Sequence, residues 1–360
     1  MQFGLNDNQV MLRDSAREFF DGECKPATVR RLIDTRTGDD VELWSRMVVQ
    51  GYTGIIFGEQ WEGVGLGLVE LILLMEEAGR ALLPGPLFAT VALAGAVLDA
   101  CGSDQQKRQY LAPICGGTAR ASLAFLEPNA SWDRADLQMT AASGRISGEK
   151  LFVPNADVAD YVVVVCRDAV CVVPLRNPAV EVVPMSGMDL TRKMSALTFD
   201  NAAVDVLEKQ DGLARGLNIA TTALVAEMVG GMQRTLDLTV EYAKTRKQFG
   251  KPIGSFQAVQ HMCADMYLET ESSRSAAYYA AWALQENAPD AAAAVSIAKI
   301  YASDASRTVG NRGIQVHGGM GFTWENDLHL YYRRAKASET TLGDATFHRE
   351  RLARLVIDGD

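Results

Sequence analysis

The chain reads RKQFGKPIGSFQ at residues 246–257, and this stretch does more than any other to decide its fold. Lys244, Arg246 and Lys247 end one predicted helix, and a Gly-Pro turn separates that helix from the next. An arginine beside a helix start suits a phosphate or pyrophosphate group. Basic side chains in a last turn also compensate the helix dipole, so this stretch alone leaves a purely structural interpretation open.

A second, glycine-rich stretch reads GIQVHGGMGFT at residues 313–323. Its three closely spaced glycines let a ligand approach the backbone, and Gln315 and His317 offer hydrogen-bonding groups. A simple helix-to-loop junction has the same composition. The pattern is not GxGxxG after a strand, so it does not support a Rossmann-type dinucleotide site.

Long helical patterns flank both stretches, and short strands precede them. We predict helices at Ile219–Thr245, Phe256–Leu284 and Ala291–Val309, with further helices in the first third of the chain. The β-branched segments predict strands at Tyr161–Cys166, Ala169–Leu175, Val180–Val183 and Ala196–Phe199. Because strands do not alternate with helices, a doubly wound sheet is disfavoured. The predicted units are a helical domain (1–117), a β domain (118–210) and a second helical domain (211–360).

The composition excludes several classes of protein. The 360 residues are 48% hydrophobic and 22% charged, so the chain can bury a large core and is not intrinsically disordered. Its net charge of −10 argues against nucleic acid or anionic lipid as the main partner. No apolar run approaches the roughly 18 residues of a membrane span, and the start has no secretory signal. The six cysteines and four histidines lack metal-ligand spacing. We therefore expect a cytoplasmic protein without a metal site.

Taken together, the two stretches resemble the acyl-CoA dehydrogenase family. The segment RKQFGKPIGSFQAVQ, followed by HMCADM, is similar to that family's FAD-contacting helix junction, and QVHGGMGF is similar to its second flavin-contacting loop. The resemblance covers essentially the whole chain. It implies an α+β fold with a helical N-terminal domain, a small β-barrel or sandwich middle domain and a C-terminal four-helix bundle.

The resemblance also implies an activity. Members bind FAD and dehydrogenate an acyl-CoA thioester between its α and β carbons, giving the trans-2-enoyl-CoA of fatty acid β-oxidation or steroid side-chain degradation. A carboxylate removes the α-proton, the β-hydrogen leaves as hydride to the flavin, and electrons pass to an electron-transferring flavoprotein. A neighbouring subunit, usually within a tetramer, completes the FAD site.

Residue by residue, the resemblance implies two halves of an FAD site. One half reaches a neighbour's cofactor and comprises Arg246, Gln248, Phe249, Ile253, Phe256, Gln315, Gly318 and Gly319. The other half lies in the middle domain against the flavin and comprises Phe125, Leu126, Phe152, Val153 and Pro154, with Asp344 on the pyrophosphate side.

The catalytic base of the family is missing from its usual places. One family position is a glutamate before a glycine, shortly after an Arg-x-Ala-Lys stretch, and here it is Leu342. The alternative position, early on the long helix, is Ala220. Neither side chain can accept a proton.

Two carboxylates are candidates to replace the base. Glu227 lies two helical turns after Ala220 in an apolar stretch, which suits a desolvated general base. An equally simple interpretation is a buried glutamate satisfied by an arginine. Asp344 is the second candidate, although a structural or cofactor-orienting role suits its position better.

A further departure is Pro154, which stands where many relatives have a threonine that bonds the flavin. Bacteria that degrade steroids, dicarboxylates or bulky acyl-CoAs often pair two unequal subunits of this family. The short subunit commonly reads FGD or LGD, as Leu342-Gly343-Asp344 does here. Two hypotheses follow: a self-sufficient dehydrogenase, or a small subunit that completes FAD held by a catalytic partner in a heterotetramer. An acyl-CoA oxidase and a flavin monooxygenase of the same fold remain alternatives, and the sequence does not define the acyl chain.

Overall fold

The computed structural model describes residues 4–358, and helices form the first part of the chain. The first helix begins with a capping box, in which Asn6 and Gln9 exchange side-chain and backbone hydrogen bonds. Phe88–Gly95 is wound as a π-helix. The α-helices of this part are α1 (Asp7–Glu23), α2 (Pro26–Ile33), α3 (Val41–Val49), α4 (Leu68–Arg80), α5 (Ala96–Cys101), α6 (Asp104–Gln106) and α7 (Ala112–Cys115).

Strands form the middle part, in two sheets that share one core. The strands are β1 (Ala121–Ala124), β2 (Arg145–Pro154), β3 (Tyr161–Val165), β4 (Val170–Pro174), β5 (Val180–Met185), β6 (Met194–Ala203) and β7 (Asp205–Val206). One sheet has the order β1-β3-β4-β7 and the other β2-β6-β5. Every residue of β3 is buried, which explains its continuous valine run. Side chains of both sheets meet in the same hydrophobic cluster, so the middle domain is a sandwich.

Long helices return after the strands. They are α8 (Leu213–Thr245), α9 (Gln257–Gln285), α10 (Ala291–His317), α11 (Leu328–Thr340) and α12 (Ala345–Ala353), with the short hairpin β8 (Lys247–Gln248) and β9 (Lys251–Pro252) before α9. The fold class predicted from the sequence is therefore confirmed. Among the described residues, no helix is both long and apolar enough to span a membrane.

Helices α4 and α8 cross at two glycines. A Cβ at Gly79 would overlap the carbonyl oxygen of Glu227, and a Cβ at Gly230 would overlap that of Glu76. The two backbones approach closely only because neither position carries a side chain. This crossing places Glu227 of α8 directly against α4, at the contact between the C-terminal and N-terminal domains.

Candidate functional site

A cavity of about 930 Å³ opens where the middle domain meets the loop between α11 and α12. The residues predicted for the flavin side that line it are Phe125, Leu126, Phe152, Pro154 and Asp344. The structure thus brings together positions that lie more than 200 residues apart in the chain. Most of the remaining wall is apolar, which suits a flat aromatic ligand.

A break in strand pairing shapes the middle-domain wall. The register between β2 and β6 shifts between Lys150 and Val153, and Phe152 has a left-handed backbone with φ of +54°. This bulge turns the Phe152 ring into the cavity and leaves it 48% exposed. Val153, in contrast, is fully buried in the sandwich core and is not among the lining residues, so its side chain does not face this cavity.

A buried ion pair supports the same wall from behind. Lys150 is fully buried, and its Nζ donates to the Glu127 carboxylate at 2.8 Å and to the carbonyl oxygens of Phe125 and Val165 at 2.8 and 2.7 Å. Burial lowers the pKa of Lys150 below its ordinary value, and Glu127 only partly opposes that shift. The pair therefore holds in place the backbone segment that carries Phe125 and Leu126.

The opposite wall contains Leu342, the residue that the resemblance places at the position of a base. Leu342 has a left-handed backbone, φ +60°, and Gly343 follows at φ +94°. The carbonyl oxygen of Leu342 lies 2.9 Å from Nε2 of His348, and burial lowers the pKa of His348 to about 4. His348 is therefore neutral near pH 7 and can donate from Nε2, which holds this loop in place. The side chain that lines the cavity here is a hydrocarbon and cannot accept a proton.

Three carboxylates line this cavity, and two of them pair with cations. Glu339 pairs with Arg307 at 2.8 Å and with Lys336 at 3.0 Å. Asp189 pairs with Arg334 at 2.7 Å. Asp344 accepts from the Phe347 N–H at 2.8 Å and caps α12, while it is exposed and its second oxygen has no partner among the described residues.

Glu227 lies in an ion-pair network. Its carboxylate accepts from Nη2 of Arg192 at 2.6 and 2.7 Å and from Nη1 of Arg334 at 2.7 Å. It is 4% exposed and lines neither this cavity nor the second large one described below. This environment matches the buried glutamate satisfied by arginines and argues against Glu227 as the base.

We call Asp189, Arg192, Glu227 and Arg334 the interdomain charge cluster. Burial would lower the pKa of Arg334, but the Asp189 and Glu227 carboxylates more than offset it and raise that pKa. Arg334 also donates to the carbonyl oxygen of Leu83, and Arg192 lies 4.6 Å over the ring of Phe88. The cluster therefore joins all three domains at the edge of the cavity.

The other predicted half of the FAD site lies on the surface. Arg246, Gln248 and Phe249 are exposed at the β8–β9 hairpin, and the Phe249 ring is 90% exposed. Phe249 and Gly250 both have positive φ, as a tight two-residue hairpin turn requires. Phe256 supports Phe249 in an edge-to-face contact at 6.1 Å and is half-buried, as is Ile253. Arg246 forms no ion pair with any described residue.

The two sequence stretches meet at the ends of α8 and α10. The ring of Tyr242, one turn before Arg246, stacks on His317 with centroids 4.3 Å apart. Beyond His317, Gly318 has φ of +60°, and a Cβ at Gly318 or Gly319 would meet open space. Gln315 is exposed on the same turn. The surface therefore presents a cation, an aromatic ring and uncovered backbone near one another.

A second cavity of about 730 Å³ lies beside the first, near the start of α8. Its wall includes Arg134 and Arg351, whose side chains bond a carbonyl of Cys166 at 3.0 Å and the amide oxygen of Asn218 at 2.7 Å. Neither arginine pairs with a carboxylate of the described residues. Burial lowers the pKa of Arg351. The same wall carries the carboxylates of Asp133, Asp136, Asp211 and Glu350, so it has no excess of positive charge. We call this space the second cavity and the first one the flavin-side cavity.

Lys299 should make stability depend on pH. It donates to the carbonyl oxygens of Ser338 and Glu339 at the end of α11, and burial lowers its pKa to about 7. An unfolded lysine keeps its proton to about pH 10, so the unfolded chain binds more protons between pH 7 and 10. The free energy of unfolding should therefore rise with pH there, by about 2 kcal/mol from pH 7 to 9, relative to Lys299→Met.

Urea unfolding at several pH values measures this difference. The exposed Lys209→Met provides the control, and its difference from the unmodified chain should stay flat. If the difference in unfolding free energy between the unmodified chain and Lys299→Met did not change between pH 7 and 9, the lowered pKa of Lys299 would be contradicted.

Sequence reasoning missed the groups that hold this site together. The partners of Glu227 lie 35 and 107 residues away, and Lys150 lies 23 residues from Glu127. The one available signal was a charged residue inside an apolar run, which predicts burial with an opposite charge but not which one.

Comparison with known proteins gives consistent matches. Residues 6–118 match the family described as acyl-CoA dehydrogenase, N-terminal domain, and residues 213–357 match acyl-CoA dehydrogenase, C-terminal domain. The acyl-CoA dehydrogenase IpdE2 of Mycobacterium tuberculosis is 33% identical over 93% of both chains.

Solved structures match over nearly the whole length. The Tcur3481-Tcur3483 steroid ACAD G363A variant has a TM-score of 0.92 and 29% identity, covering 98% of each chain. The ChsE4-ChsE5 complex from Mycobacterium tuberculosis has a TM-score of 0.90 and 28% identity, with the same coverage. The FAD complex of PigA has a TM-score of 0.90 and 26% identity over 99% of both chains.

Proposed function

The chain belongs to the acyl-CoA dehydrogenase family of oxidoreductases, and from that premise we propose that it works as the small subunit of a paired enzyme. In this proposal the chain completes an FAD site shared with a second, unequal subunit, which supplies the catalytic base. The assembly is a heterotetramer that dehydrogenates an acyl-CoA between its α and β carbons. It works in the cytoplasm and passes electrons to an electron-transferring flavoprotein.

One observation carries the proposal: both family positions for the catalytic base, Leu342 and Ala220, hold hydrocarbon side chains. Glu339 and Asp189 on the cavity wall pair with cations, and Asp344 caps a helix. Glu227 is held by two arginines away from the cavity. Removal of an α-proton requires an acceptor within hydrogen-bond reach, so in this proposal the partner supplies the base.

The two halves of the predicted FAD site fit the cofactor unequally. The exposed half offers an unpaired guanidinium at Arg246, which suits a pyrophosphate, beside uncovered backbone at Gly318 and Gly319. The inward half offers a shaped, mostly apolar cavity, but Pro154 has no N–H, and its carbonyl oxygen already accepts from Ser122. FAD, when bound, supplies the hydride acceptor. This asymmetry supports a chain that completes a cofactor held mainly by its partner.

The names of similar proteins support both the pairing and a substrate class. The Tcur3481-Tcur3483 protein is described as a steroid ACAD, and ChsE4-ChsE5 as a complex. We therefore propose a bulky acyl-CoA, such as one with a steroid body, as the substrate of the assembly.

An anaerobic titration of the chain expressed alone tests the proposal. The chain is mixed with excess FAD, and the visible spectrum is followed as acyl-CoAs of increasing size, including a steroid thioester, are added. The flavin band should stay oxidised with every thioester. Bleaching by any of them would show a self-sufficient dehydrogenase and would overturn the small-subunit proposal.

Replacing Arg246 should weaken FAD binding. A hydrogen bond to a charged group contributes about 1.5–3 kcal/mol, so Arg246→Met should raise the Kd for FAD about tenfold or more. The measurement is a titration of the FAD-free assembly, followed by quenching of flavin fluorescence. Lys247→Met removes the same charge from the next residue of the exposed hairpin and should change the Kd less than twofold or so. If both variants lost the same affinity for FAD, Arg246 would act only through its net charge and not through a specific hydrogen bond.

A further inference from the structure

Arg192, a member of the interdomain charge cluster, carries hydrogen-bond donors that the chain does not use. It is 6% exposed, and it lines the flavin-side cavity and a smaller adjoining cavity of about 470 Å³. A guanidinium offers five N–H donors, but among the described residues only Nη2 of Arg192 is hydrogen-bonded, to the two oxygens of Glu227. Nε and Nη1 form no hydrogen bond with these residues. A buried donor without a partner costs free energy, so these two groups are left for water or a ligand.

The guanidinium of Arg192 is held in one orientation by two other domains. Glu227 of the C-terminal domain accepts from Nη2 at 2.6 and 2.7 Å. The ring of Phe88, in the N-terminal domain, lies 4.6 Å from the guanidinium carbon. A planar group that is held at one edge and on one face presents its remaining donors in a fixed direction. Arg192 is therefore pre-organised to recognise a ligand.

The charges around the flavin-side cavity decide which kind of group these donors suit. The interdomain charge cluster is itself balanced, because it has two arginines and two carboxylates. The other charged residues on the cavity wall are Lys336 and Glu339, which pair with each other, and Asp344. The wall therefore has no excess of positive charge for an anionic ligand. A neutral acceptor, such as a carbonyl oxygen, gains the hydrogen bonds without repulsion from the carboxylates.

The rest of the cavity suits a flat, apolar body that carries such a carbonyl. Most of the wall is apolar, and the Phe152 ring faces the space. In a pocket of this kind, a few placed polar groups fix the orientation of the ligand. Two polycyclic ligands of the proposed function have ring carbonyls: the flavin of FAD and a steroid acyl body with a keto group. The donors of Arg192 suit either one.

We propose that Arg192 is a specificity-determining residue that donates to a neutral ring carbonyl of a flat ligand in the flavin-side cavity. The inference rests on the proposed function, because that function supplies the two polycyclic ligands. It gives Arg192 a second role beside its ion pair with Glu227. A purely structural arginine would not distinguish a ligand with a ring carbonyl from one without it, so selectivity for the carbonyl separates the two roles.

Binding to the chain expressed alone tests the inference without measuring turnover. Isothermal titration gives the Kd of cholanoyl-CoA, which has no ring oxygen, and of the same thioester with a ring ketone. Quenching of flavin fluorescence gives the Kd of FAD. If the carbonyl belongs to the acyl body, the unmodified chain should bind the keto thioester about tenfold or more tightly than its counterpart. If it belongs to the flavin, the two thioesters should bind alike and the effect should appear in the Kd of FAD.

Two matched substitutions identify the donor. Arg192→Lys keeps a cation beside Glu227 but loses the planar set of donors. It should abolish the preference for the keto thioester or raise the Kd of FAD about tenfold or more, and it should leave the Kd of cholanoyl-CoA within about twofold. Arg334→Lys makes the same substitution in the same cluster, at a residue that does not line the flavin-side cavity, and should change each Kd by less than about twofold. Thermal unfolding verifies that each variant is folded, and Arg192→Gln replaces the lysine variant if that one does not fold.

Three results would overturn the role of Arg192. One is an unmodified chain that binds neither FAD nor either thioester. The second is an Arg192→Lys variant that leaves all three Kd values unchanged. The third is a loss of affinity for cholanoyl-CoA as large as that for the other ligands, which a purely structural role predicts. Bleaching of FAD by a thioester would overturn the small-subunit proposal, whereas any of the three results without bleaching would overturn only the role of Arg192.

Discussion

Replacing Glu227 with leucine is expected to destabilise the protein by about 3–5 kcal/mol, because it removes one side of a buried ion-pair network. Among the described residues, Glu227 is the one carboxylate that pairs with Arg192, and Arg334 would keep Asp189. Both arginines are buried, so loss of the carboxylate leaves their charge poorly compensated. Urea unfolding of the purified chain measures the change, with the midpoint and slope reported separately.

Two further variants separate a structural role from a catalytic one. Glu227→Gln keeps the shape and one acceptor and should cost about 2 kcal/mol, since a hydrogen bond to a charged group contributes about that amount. Glu241→Ala, an exposed glutamate on the same helix, should change stability by less than about 0.5 kcal/mol. If Glu227→Gln were as stable as the unmodified chain and yet abolished turnover of the assembly, Glu227 would be a base after all.

Replacing Lys150 with methionine should be nearly as damaging, at about 3–5 kcal/mol. The variant would leave Glu127 buried without its cation and would strip the carbonyl oxygens of Phe125 and Val165 of their donor. Because Phe125 lines both large cavities, ligand binding should weaken along with stability. Chemical unfolding measures the loss of stability, and a titration with FAD measures the loss of binding.

The Lys150–Glu127 pair should make the free energy of unfolding depend on pH in the acidic range. Burial raises the pKa of Glu127, but Lys150 and two backbone N–H groups more than offset this and hold it below its ordinary value. Its contribution to stability is present above the unfolded pKa and is lost as pH falls through the folded one. Without Lys150 this loss should begin at higher pH. Glu149→Ala, exposed on the same strand, is the control, and an equal response in both variants would contradict the role of the pair.

The sequence predicts which segments are helices and which are strands. Two helix boundaries were wrong because glycines lie near them. The prediction began α8 at Ile219 and ended α10 at Val309, whereas the helices run from Leu213 and to His317. Gly216 lies against the backbone of Val97, Gly310 against Tyr332, and Gly313 against Thr235. These glycines permit close packing inside helices rather than ending them. Only the neighbouring elements reveal that use, and the sequence pattern does not contain them.

The sequence predicts the parts of the site that lie in short local motifs. It does not predict the parts that depend on contacts between residues far apart in the chain. The exposed residues around Arg246 and Gly318 follow from two short stretches, and the structure brings those stretches together. The ion pairs of Glu227 link different domains. Trp132, which lines both large cavities, donates from Nε1 to the carbonyl oxygen of Thr340, 208 residues away. Pairings at such separations are decided by the fold and not by any pattern along the chain.

The small-subunit proposal requires that this chain brings no base to an acyl-CoA. Exchange of α-protons tests this requirement, because exchange requires only a base near the thioester and no net oxidation. The chain alone, with excess FAD, is incubated with octanoyl-CoA in D2O, beside a family member that has glutamate at the position matching Leu342. Nuclear magnetic resonance follows the loss of the α-proton signal. We expect exchange with the glutamate-bearing enzyme and only the uncatalysed rate with this chain. Exchange above that rate with this chain alone would contradict the proposal.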